Sequence, residues 1–245
     1  MDKISAWLTD FKADFVLNFV EKQRWEFITS GLKNTLLITF LSLILGVFLG
    51  VIVAIVRASY DKTSAEMRKG IKKALFSVLN GICKIYLTVI RGTPVVVQLM
   101  IMYYIIFASS RNSLLVAVIA FGINSGAYVA EIVRSGIMSI DEGQFEAGRS
   151  LGFNYSKTMI YIIIPQAFKN ILPALANEFI VLLKETSVAG YVTIRDLTMG
   201  GNIIRAATYS PFLPLIAVAV IYLVLVMFFT KLVSILERRL RKNER

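Results

Sequence analysis

Four long runs without a charged residue are the feature that most restricts how this chain can fold. The runs cover residues 34–56, 92–110, 112–130 and 206–230. A helix of roughly 20 apolar residues crosses the hydrocarbon core of a bilayer, so each run is long enough to span a membrane. The chain is 56% hydrophobic and only 18% charged, which is less charge than a soluble domain of 245 residues carries. We therefore expect an all-α integral membrane protein.

A further, weaker span is predicted over residues 166–190, as the fourth in chain order. Four charged residues interrupt it, namely Lys169, Glu178, Lys184 and Glu185. Charged side chains that face lipid are energetically costly, so this helix should be buried among its neighbours or line a cavity. With it, the chain forms a bundle of five transmembrane helices.

Charge asymmetry between the loops predicts the orientation of the chain. Residues 57–84 hold seven Lys or Arg and two acidic residues, and residues 231–245 hold six and two. Basic residues accumulate on the cytoplasmic side of membrane proteins, so both segments should lie there. Five spans satisfy this condition, whereas four would leave the second basic segment outside. We expect the N-terminus outside and the C-terminus in the cytoplasm.

The chain is predicted to form one membrane domain with short additions at its ends. Residues 1–30 carry apolar side chains at helical spacing, which predicts an amphipathic segment on the outer membrane surface. Residues 31–235 form the transmembrane domain, and residues 236–245 form a basic cytoplasmic tail. Residues 71–90 also have a helical pattern, consistent with an extension of the second span into the cytoplasm.

Composition excludes several classes of function. The single cysteine, Cys83, allows no intrachain disulfide, and the absence of histidine removes the common zinc and nucleophile motifs. We therefore expect no metal site and no catalytic residues. The net charge of +11 is explained by the cytoplasmic segments, so no nucleic-acid partner is expected. The first 30 residues mix charges and lack a compact apolar stretch with a cleavage site, so no signal peptide is predicted.

The segment 139–165, between the third and fourth spans, has the pattern of two short helices. Asp141 suits the positive end of the first helix, and Gly152 suits the left-handed residue that ends it. Asn154 is a candidate N-cap of the second helix, and Pro165 should break or kink that helix at the membrane. A simple connection would be shorter, so the segment predicts a docking surface.

This segment resembles the EAA signature of the permeases of bacterial ABC importers. The matching residues, at the spacing of the family, are Glu146, Ala147, Gly148, Gly152, Ile162, Ile164 and Pro165. Gly148 replaces the second alanine of the signature, and Ile164 replaces its leucine. In that family the loop is a coupling helix that sits in a groove of the ATP-binding subunit. The resemblance implies that Glu146, Ala147, Gly148, Gly152 and Pro165 couple this chain to a separate ATPase.

Three further motifs resemble the branch of this family that carries polar amino acids, the histidine/glutamine/arginine permeases. They are RGTPVVVQL over 91–99, AYVAEIVRSGI over 127–137 and KETSVAG over 184–190. The resemblance covers nearly the whole chain from the first span onward, and it implies the fold of a type I ABC importer permease. Glu185 stands where the branch often has aspartate.

The first of these motifs supplies candidates for a gating or structural role. They are Arg91, Gly92, Thr93 and Pro94. Arg91 could alternatively be a residue that extends toward the membrane surface, and Gly92 and Pro94 fit a bend better than a ligand contact. Close packing of helices is predicted by two small-xxx-small pairs, Gly46 with Gly50 and Gly122 with Gly126.

A polar amino acid carries a carboxylate and an ammonium group, so its path through the bundle requires polar and charged side chains. The candidates in the third and fourth spans are Asn124, Glu131, Glu178, Lys184, Glu185, Thr186 and Ser187. Lys184 could contact the carboxylate, and Glu131 or Glu185 an ammonium or guanidinium group. Alternatively, these residues pair with one another and only hold the helices together. Glu185 favours a cationic or zwitterionic substrate.

The resemblance also implies the partners of the chain. These are a dimer of ATP-binding subunits that hold ATP and Mg²⁺, a second permease subunit that is identical or homologous, a substrate-binding protein, the amino acid and membrane lipid. No cofactor is expected on this chain, which lies in the bacterial cell membrane. Two other classes remain: a scaffolding membrane protein, against which the charged fourth span argues, and an ion-coupled secondary transporter of amino acids or amines. Secondary transporters usually have more spans and inverted repeats.

Overall fold

The computed structural model describes residues 2–64, 67–68 and 70–241, and these form α-helices joined by short π and 3-10 turns, without a strand. The α-helices are α1 Asp2–Phe15, α2 Trp25–Thr63, α3 Ile71–Gly92, α4 Val95–Ile101, α5 Ser113–Met138, α6 Glu142–Ser150, α7 Tyr155–Thr158, α8 Ile164–Glu185, α9 Leu197–Thr208 and α10 Phe212–Arg241. The π turns are Val16–Val20, Met102–Ile106 and Met159–Ile163, and the 3-10 turns are Glu21–Gln23 and Thr186–Val192. The predicted all-α fold class is confirmed.

Five helical stretches in the described residues are long and apolar enough to cross a membrane, as predicted. They are Trp25–Thr63, Ile71–Gly92, Ser113–Met138, Tyr155–Val192 and Phe212–Leu240. The first and fourth extend well beyond the uncharged runs, because a helix does not end where a charged residue appears. The last span begins later than predicted, since residues 206–208 belong to the separate helix α9.

The predicted bounds of the second span, 92–110, are wrong. The spanning helix α3 ends at Gly92, and the shorter apolar helix Val95–Ile106 follows it. Thr93 is extended, with φ −123° and ψ 147°, because a residue before proline avoids the helical region, and Pro94 starts the next helix. The segment 71–90, predicted as an extension, therefore forms the span itself. The predicted bend at Gly92 and Pro94 is confirmed.

The centre of the bundle is the close contact between α2 and α5, which the glycine pairs predicted. A Cβ atom on Gly50 would lie 2.6 Å from Val129 Cβ, and one on Gly122 would lie 2.6 Å from Leu45 Cδ2. Only glycine allows the two backbones to approach so closely. Tyr86 of α3 joins this contact by donating a hydrogen bond to the carbonyl of Ile123 at 2.6 Å.

Helix α9 caps the bundle at the end from which α2 starts. Asp196 is its buried N-cap and accepts hydrogen bonds from the backbone N–H groups of Thr198 and Met199, at 3.1 and 3.0 Å. The N–H of Leu197 is held by Thr35 Oγ1 of α2 at 3.0 Å. Burial raises the pKa of the Asp196 carboxyl from 3.8 to about 6, against the opposing effect of these hydrogen bonds.

The N-terminal segment predicted over residues 1–30 is divided in the structure. Helix α1 ends at Phe15, and α2 begins at Trp25. Between them Lys22 and Gln23 have positive φ angles of 53° and 55°, so α1 does not continue the axis of α2. Of the predicted basic tail, residues 242–245 lie outside the described residues.

Candidate functional site: the coupling loop and the charged groove

The loop between α5 and α8 has the local structure that its sequence predicts. Asp141 Oδ1 accepts a hydrogen bond from the N–H of Gly143 at 2.7 Å and caps α6. Gly152 takes the left-handed conformation, with φ 76°, just after that helix. Asn154 Oδ1 accepts from the N–H of Lys157 at 2.9 Å and caps α7. The two helices are therefore set at an angle by a glycine, as expected.

Gly148 seats α6 against the helix that follows it. A Cβ atom on Gly148 would lie 2.6 Å from Thr158 Cγ2 and 2.7 Å from Thr158 Oγ1. The buried glycine thus lets the two helices approach more closely than an alanine would. Glu146 and Ala147 remain exposed, as does Leu151, whose side chain is 72% accessible. An exposed leucine at the end of a helix that also exposes a carboxylate is suited to contact with another protein.

Lys62, near the end of α2, connects this loop to the membrane bundle. Its Nζ atom lies 2.6 Å from Glu142 Oε1 and 4.6 Å from the centre of the Phe145 ring. The hydrogen bond from Lys62, together with its charge, lowers the pKa of Glu142. Lys62, Glu142, Glu146 and Arg149 lie in the wall of a recess of about 360 Å³ between α2, α6 and α7. The inner end of α2 and the first turn of α6 are therefore joined directly.

Of the break or kink predicted at Pro165, the structure contradicts the break. The helical stretch Tyr155–Val192 continues through this proline, which is the second residue of α8. A π turn at Met159–Ile163 precedes it. Such a turn relaxes the helical hydrogen-bond pattern near a residue that lacks an N–H, so the helix does not end at Pro165.

A charged groove of about 610 Å³ lies between α3, α5 and α8. Its polar lining consists of Arg91, Tyr128, Glu131, Ser135, Ser139, Asn170 and Glu178. Arg91 Nη1 lies 3.7 Å from Glu131 Oε1, and the Arg91 guanidinium lies 5.7 Å from the centre of the Tyr128 ring. The groove thus brings together one candidate gating residue, Arg91, and two candidate pathway residues, Glu131 and Glu178.

Ion pairs continue from this groove toward the coupling loop. Arg134 Nη2 lies 3.2 Å from Glu131 Oε2, and Arg134 Nη1 lies 3.9 Å from Asp61 Oδ2. Asp61 directly precedes Lys62 in the sequence. A series of charged contacts therefore extends from Arg91, at the end of α3, to Asp61, the residue before Lys62.

Buried polar pairs hold the neighbouring helices. Ser125 Oγ donates to Glu178 Oε1 at 2.8 Å, and Glu178 is only 6% exposed. Asn124 Nδ2 donates to Gln98 Oε1 at 3.0 Å, while Gln98 Nε2 donates to the Thr93 carbonyl at 3.0 Å. Within the described part of the chain, Asn124 Oδ1 is buried without a hydrogen-bond donor. Asn124 and Glu178 are therefore bound partly to protein groups, namely Gln98 and Ser125, rather than to other candidate residues.

The remaining candidates, Lys184 to Ser187, lie beyond the groove at the far end of α8. Thr186 is buried, donates to the Leu183 carbonyl at 2.9 Å and lies 3.5 Å from Thr39 Oγ1. Lys184 is exposed, and neither Lys184 nor Glu185 forms a salt bridge to any residue that the structure describes. The sequence candidates thus fall into two separate groups along α8.

Several residues of these networks were missed from the sequence. They are Asp61, Lys62, Gln98, Ser125 and Arg134. Lys62 was counted only as part of a cytoplasmic basic segment, and Gln98 lay inside the RGTPVVVQL motif without a role. Gln98 is the one that could have been found, because a glutamine inside an apolar span requires hydrogen-bond partners.

Residues 70–242 match the family described as "Binding-protein-dependent transport system inner membrane component". The chain belongs to this family. It is 38% identical over 221 residues to the arginine transport system permease protein ArtQ of Bacillus subtilis (strain 168), covering 89% of this chain and 94% of ArtQ. It is 34% identical over 226 residues to the L-cystine transport system permease protein TcyB of the same organism, covering 91% of this chain and 90% of TcyB. The glutamine transport system permease protein GlnP of Escherichia coli (strain K12) is 37% identical over 168 residues, covering 67% of this chain and 77% of GlnP.

Solved structures agree with this membership. The crystal structure of an amino acid ABC transporter with histidines contains a chain that is 42% identical, with a TM-score of 0.76, covering 87% of this chain and 94% of that one. The methionine ABC transporter MetNI, at 19% identity and a TM-score of 0.71, shares the fold over 90% of this chain and 99% of its own.

The resemblance to the permeases of amino acid ABC importers, and the type I permease fold, are thereby confirmed. Membership in this family favours an importer subunit over an ion-coupled secondary transporter or a scaffold. The relatives are named as permease proteins of transport systems rather than as enzymes. The family's description as an inner membrane component agrees with the predicted bacterial membrane location.

Proposed function

We propose that this chain is the membrane-spanning subunit of an ABC importer that carries a cationic or zwitterionic amino acid through the charged groove. The observation that carries this proposal is the groove itself, in which Arg91 faces Glu131 and the nearly buried Glu178 lies in the same wall. A free amino acid presents charges of both signs, and charged groups inside a bundle mark pathways for polar solutes. The relatives named for arginine, glutamine and cystine transport support this class of substrate.

Each charged residue of the groove has a proposed role. Arg91 binds the substrate carboxylate in exchange for part of its contact with Glu131. Glu131 and Glu178 bind the ammonium group or a cationic side chain. The exchange is feasible because the 3.7 Å pair of Arg91 and Glu131 is long for an ion pair and both side chains are partly exposed.

The other candidates form a second part of the proposed pathway. Asn124 offers a buried carbonyl oxygen without a donor among the described residues. Lys184, Glu185, Thr186 and Ser187 lie farther along the same helical stretch, six or more residues after Glu178, and would meet the substrate before or after the groove. Gly92, Thr93 and Pro94 form the bend at which the pathway opens or closes.

The partners follow from the exposed loop and from the family. A dimer of ATP-binding subunits, which hold ATP and Mg²⁺ and carry out hydrolysis, docks on the exposed residues Glu146, Ala147 and Gly152. Gly148 supports this surface from its buried side, and Pro165 lies in the first turn of the helix behind it. A second permease subunit completes the pathway, and a substrate-binding protein delivers the amino acid. The N-terminus lies outside and the C-terminus lies in the cytoplasm, because the basic segments 57–84 and 231–245 flank the inner ends of the spans.

The first experiment tests the coupling site. The chain is co-purified with candidate ATP-binding subunits as wild type, as Glu146→Lys and as Glu26→Lys. Glu26 is also exposed, but it lies in the first turn of α2, at the other end of that helix from Lys62, so its substitution is the matched control. We expect only Glu146→Lys to release the ATPase. Equal retention by all three chains would contradict the proposed docking site.

The second experiment tests the substrate class. The assembled transporter is reconstituted in liposomes with its binding protein, and ATP hydrolysis is measured with a panel of cationic, zwitterionic and acidic amino acids. We expect stimulation by cationic or zwitterionic members, and its reduction by at least tenfold in Glu178→Gln. Stimulation by acidic amino acids alone would overturn the substrate assignment while leaving the importer assignment intact.

A further inference from the structure

Helix α1 carries an apolar face that no other helix covers. At about 100° per residue, its side chains Trp7, Leu8, Phe11 and Phe15 fall within an arc of about 100°. Trp7 is 62% exposed, Phe11 is 42% exposed, and their rings stack at 5.6 Å. Every residue from 6 to 15 is exposed, so α1 lies apart from the bundle.

The turn after α1 is nevertheless fixed firmly to the bundle. Asn18, fully buried, accepts a hydrogen bond from Thr208 Oγ1 at 2.8 Å and donates to Ser210 Oγ at 3.3 Å. Arg24, also buried, donates to the carbonyl of Leu17. The positive φ angles at Lys22 and Gln23 then turn the chain into α2. A helix that leaves a spanning helix through such a fixed bend is directed away from the axis of that helix.

The turn after α1 leads into a spanning helix whose exposed apolar side faces lipid. Val20 and Trp25 are exposed between the two helices, and Phe40, Ile44 and Phe48 are exposed along the uncharged part of α2. Those α2 side chains lie in the middle of a membrane span, outside the packed core. Between Trp25 and these residues, α2 exposes the polar side chains Glu26, Thr29, Ser30 and Lys33, so α1 is attached near the point where the span meets the membrane surface.

We infer that α1 lies in the interface of the membrane, with Trp7, Leu8, Phe11 and Phe15 inserted among the lipid headgroups and upper acyl chains. The composition fits this occupant, because tryptophan and phenylalanine on one face with charges at its borders are typical of interfacial helices. Asp14 and Lys12 provide those borders. This inference goes beyond the proposed function, since it does not depend on which substrate is carried or on ATP coupling.

Trp7 and Trp25 are the only tryptophans of the chain, which allows a direct test. The assembled transporter is reconstituted in phosphatidylcholine vesicles as Trp25→Phe and as the double variant Trp7→Phe/Trp25→Phe. The difference between the two emission spectra isolates Trp7, whatever tryptophans the other subunits carry. Emission is then quenched either by lipids brominated high on the acyl chain or by aqueous iodide.

We expect Trp7 to be quenched several-fold more strongly by the brominated lipid than by iodide, with a blue-shifted emission maximum. Strong quenching by iodide with no effect of brominated lipid would overturn the inference. Protection from iodide that appears only after addition of the binding protein would also overturn it, because the face would then dock that protein. Trp7→Phe with Trp25 intact reports whether the substitutions leave the start of α2 unchanged.

Discussion

Lys62 Nζ lies 2.6 Å from Glu142 Oε1, so a single ion pair joins the inner end of the first span to the first residue of α6. The pair is unevenly exposed, with Lys62 21% and Glu142 81% accessible. Exposed ion pairs contribute at most about 1 kcal/mol to stability, so the importance of this pair must lie in orienting α6 rather than in holding the fold.

This relationship gives the first prediction. Lys62→Met should leave the melting temperature of the transporter nearly unchanged but reduce the stimulation of ATP hydrolysis by loaded binding protein several-fold. The charge reversal Lys62→Glu with Glu142→Lys should restore part of the stimulation, because the pair is re-formed without the contact of Lys62 with Phe145. A reversal that behaves no better than Lys62→Met would show that the pair does not orient α6.

A second prediction concerns the departure from the family signature at Gly148. In Gly148→Ala the new Cβ would lie 2.6 Å from Thr158 Cγ2, and overpacking of this kind costs about 1–3 kcal/mol. Replacing Thr158 with alanine in the same chain should recover most of the loss. Thermal unfolding of the purified transporter measures both effects. Gly81→Ala is the matched control, because a Cβ atom on Gly81 meets nothing within 4 Å.

A third prediction concerns pH and the buried N-cap of α9. The folded-state pKa of Asp196 is raised from 3.8 to about 6, so the folded state binds the extra proton between these values. The stability of α9 should therefore be greatest below about pH 4 and fall as the pH rises through 6, by roughly 1–3 kcal/mol at most. Hydrogen exchange of the α9 amides, corrected for the intrinsic effect of pH, measures this change.

The variant Asp196→Asn provides the test of that assignment. Asparagine keeps one oxygen, which can accept from the N–H of Thr198 or of Met199 but not from both, and it has no ionisation. The hydrogen-exchange protection of α9 should therefore become independent of pH between 4 and 7. A variant with the same pH dependence as the wild type would assign the effect to another group.

A fourth prediction concerns Gln98, which stabilises the bend between α3 and α4. Gln98 Nε2 donates to the carbonyls of Ile90 and Thr93, at 2.7 and 3.0 Å, where the bend removes helical donors. Gln98→Leu should destabilise the protein by about 1–3 kcal/mol for each buried group left without a partner, including Asn124. Gln98→Glu should still accept the hydrogen bond from Asn124, but it can no longer donate to the carbonyls of Ile90 and Thr93. Unfolding in detergent compares the two variants, and equal stability of Gln98→Leu and wild type would contradict this role.

The sequence predicted the features that depend on local chemistry or on long runs of residues. Five spans followed from uncharged runs and from the parity of basic segments, and the caps at Asp141, Gly152 and Asn154 followed from the preferences of single residues. The bend at Gly92 and Pro94 was predicted, but the end of the second span at Gly92 was not, because residues 92–110 form an uncharged run. The pairing of Ser125 with Glu178 was missed because the two residues are 53 positions apart and no local pattern connects them. The roles of the candidate site residues in transport remain predictions.

The π turn at Met159–Ile163 affects how the coupling loop faces its surroundings. A π turn inserts one residue relative to a regular α-helix, and one residue corresponds to about 100° of rotation. The part of the helix before the π turn, which contacts α6 through Thr158, is therefore rotated by about that angle. The rotation is relative to its orientation in an uninterrupted α-helix. One inserted residue thus sets the orientation of the coupling loop independently of the orientation of the groove. A single insertion or deletion in this turn would change the orientation of the loop, while the residues that line the groove keep their positions.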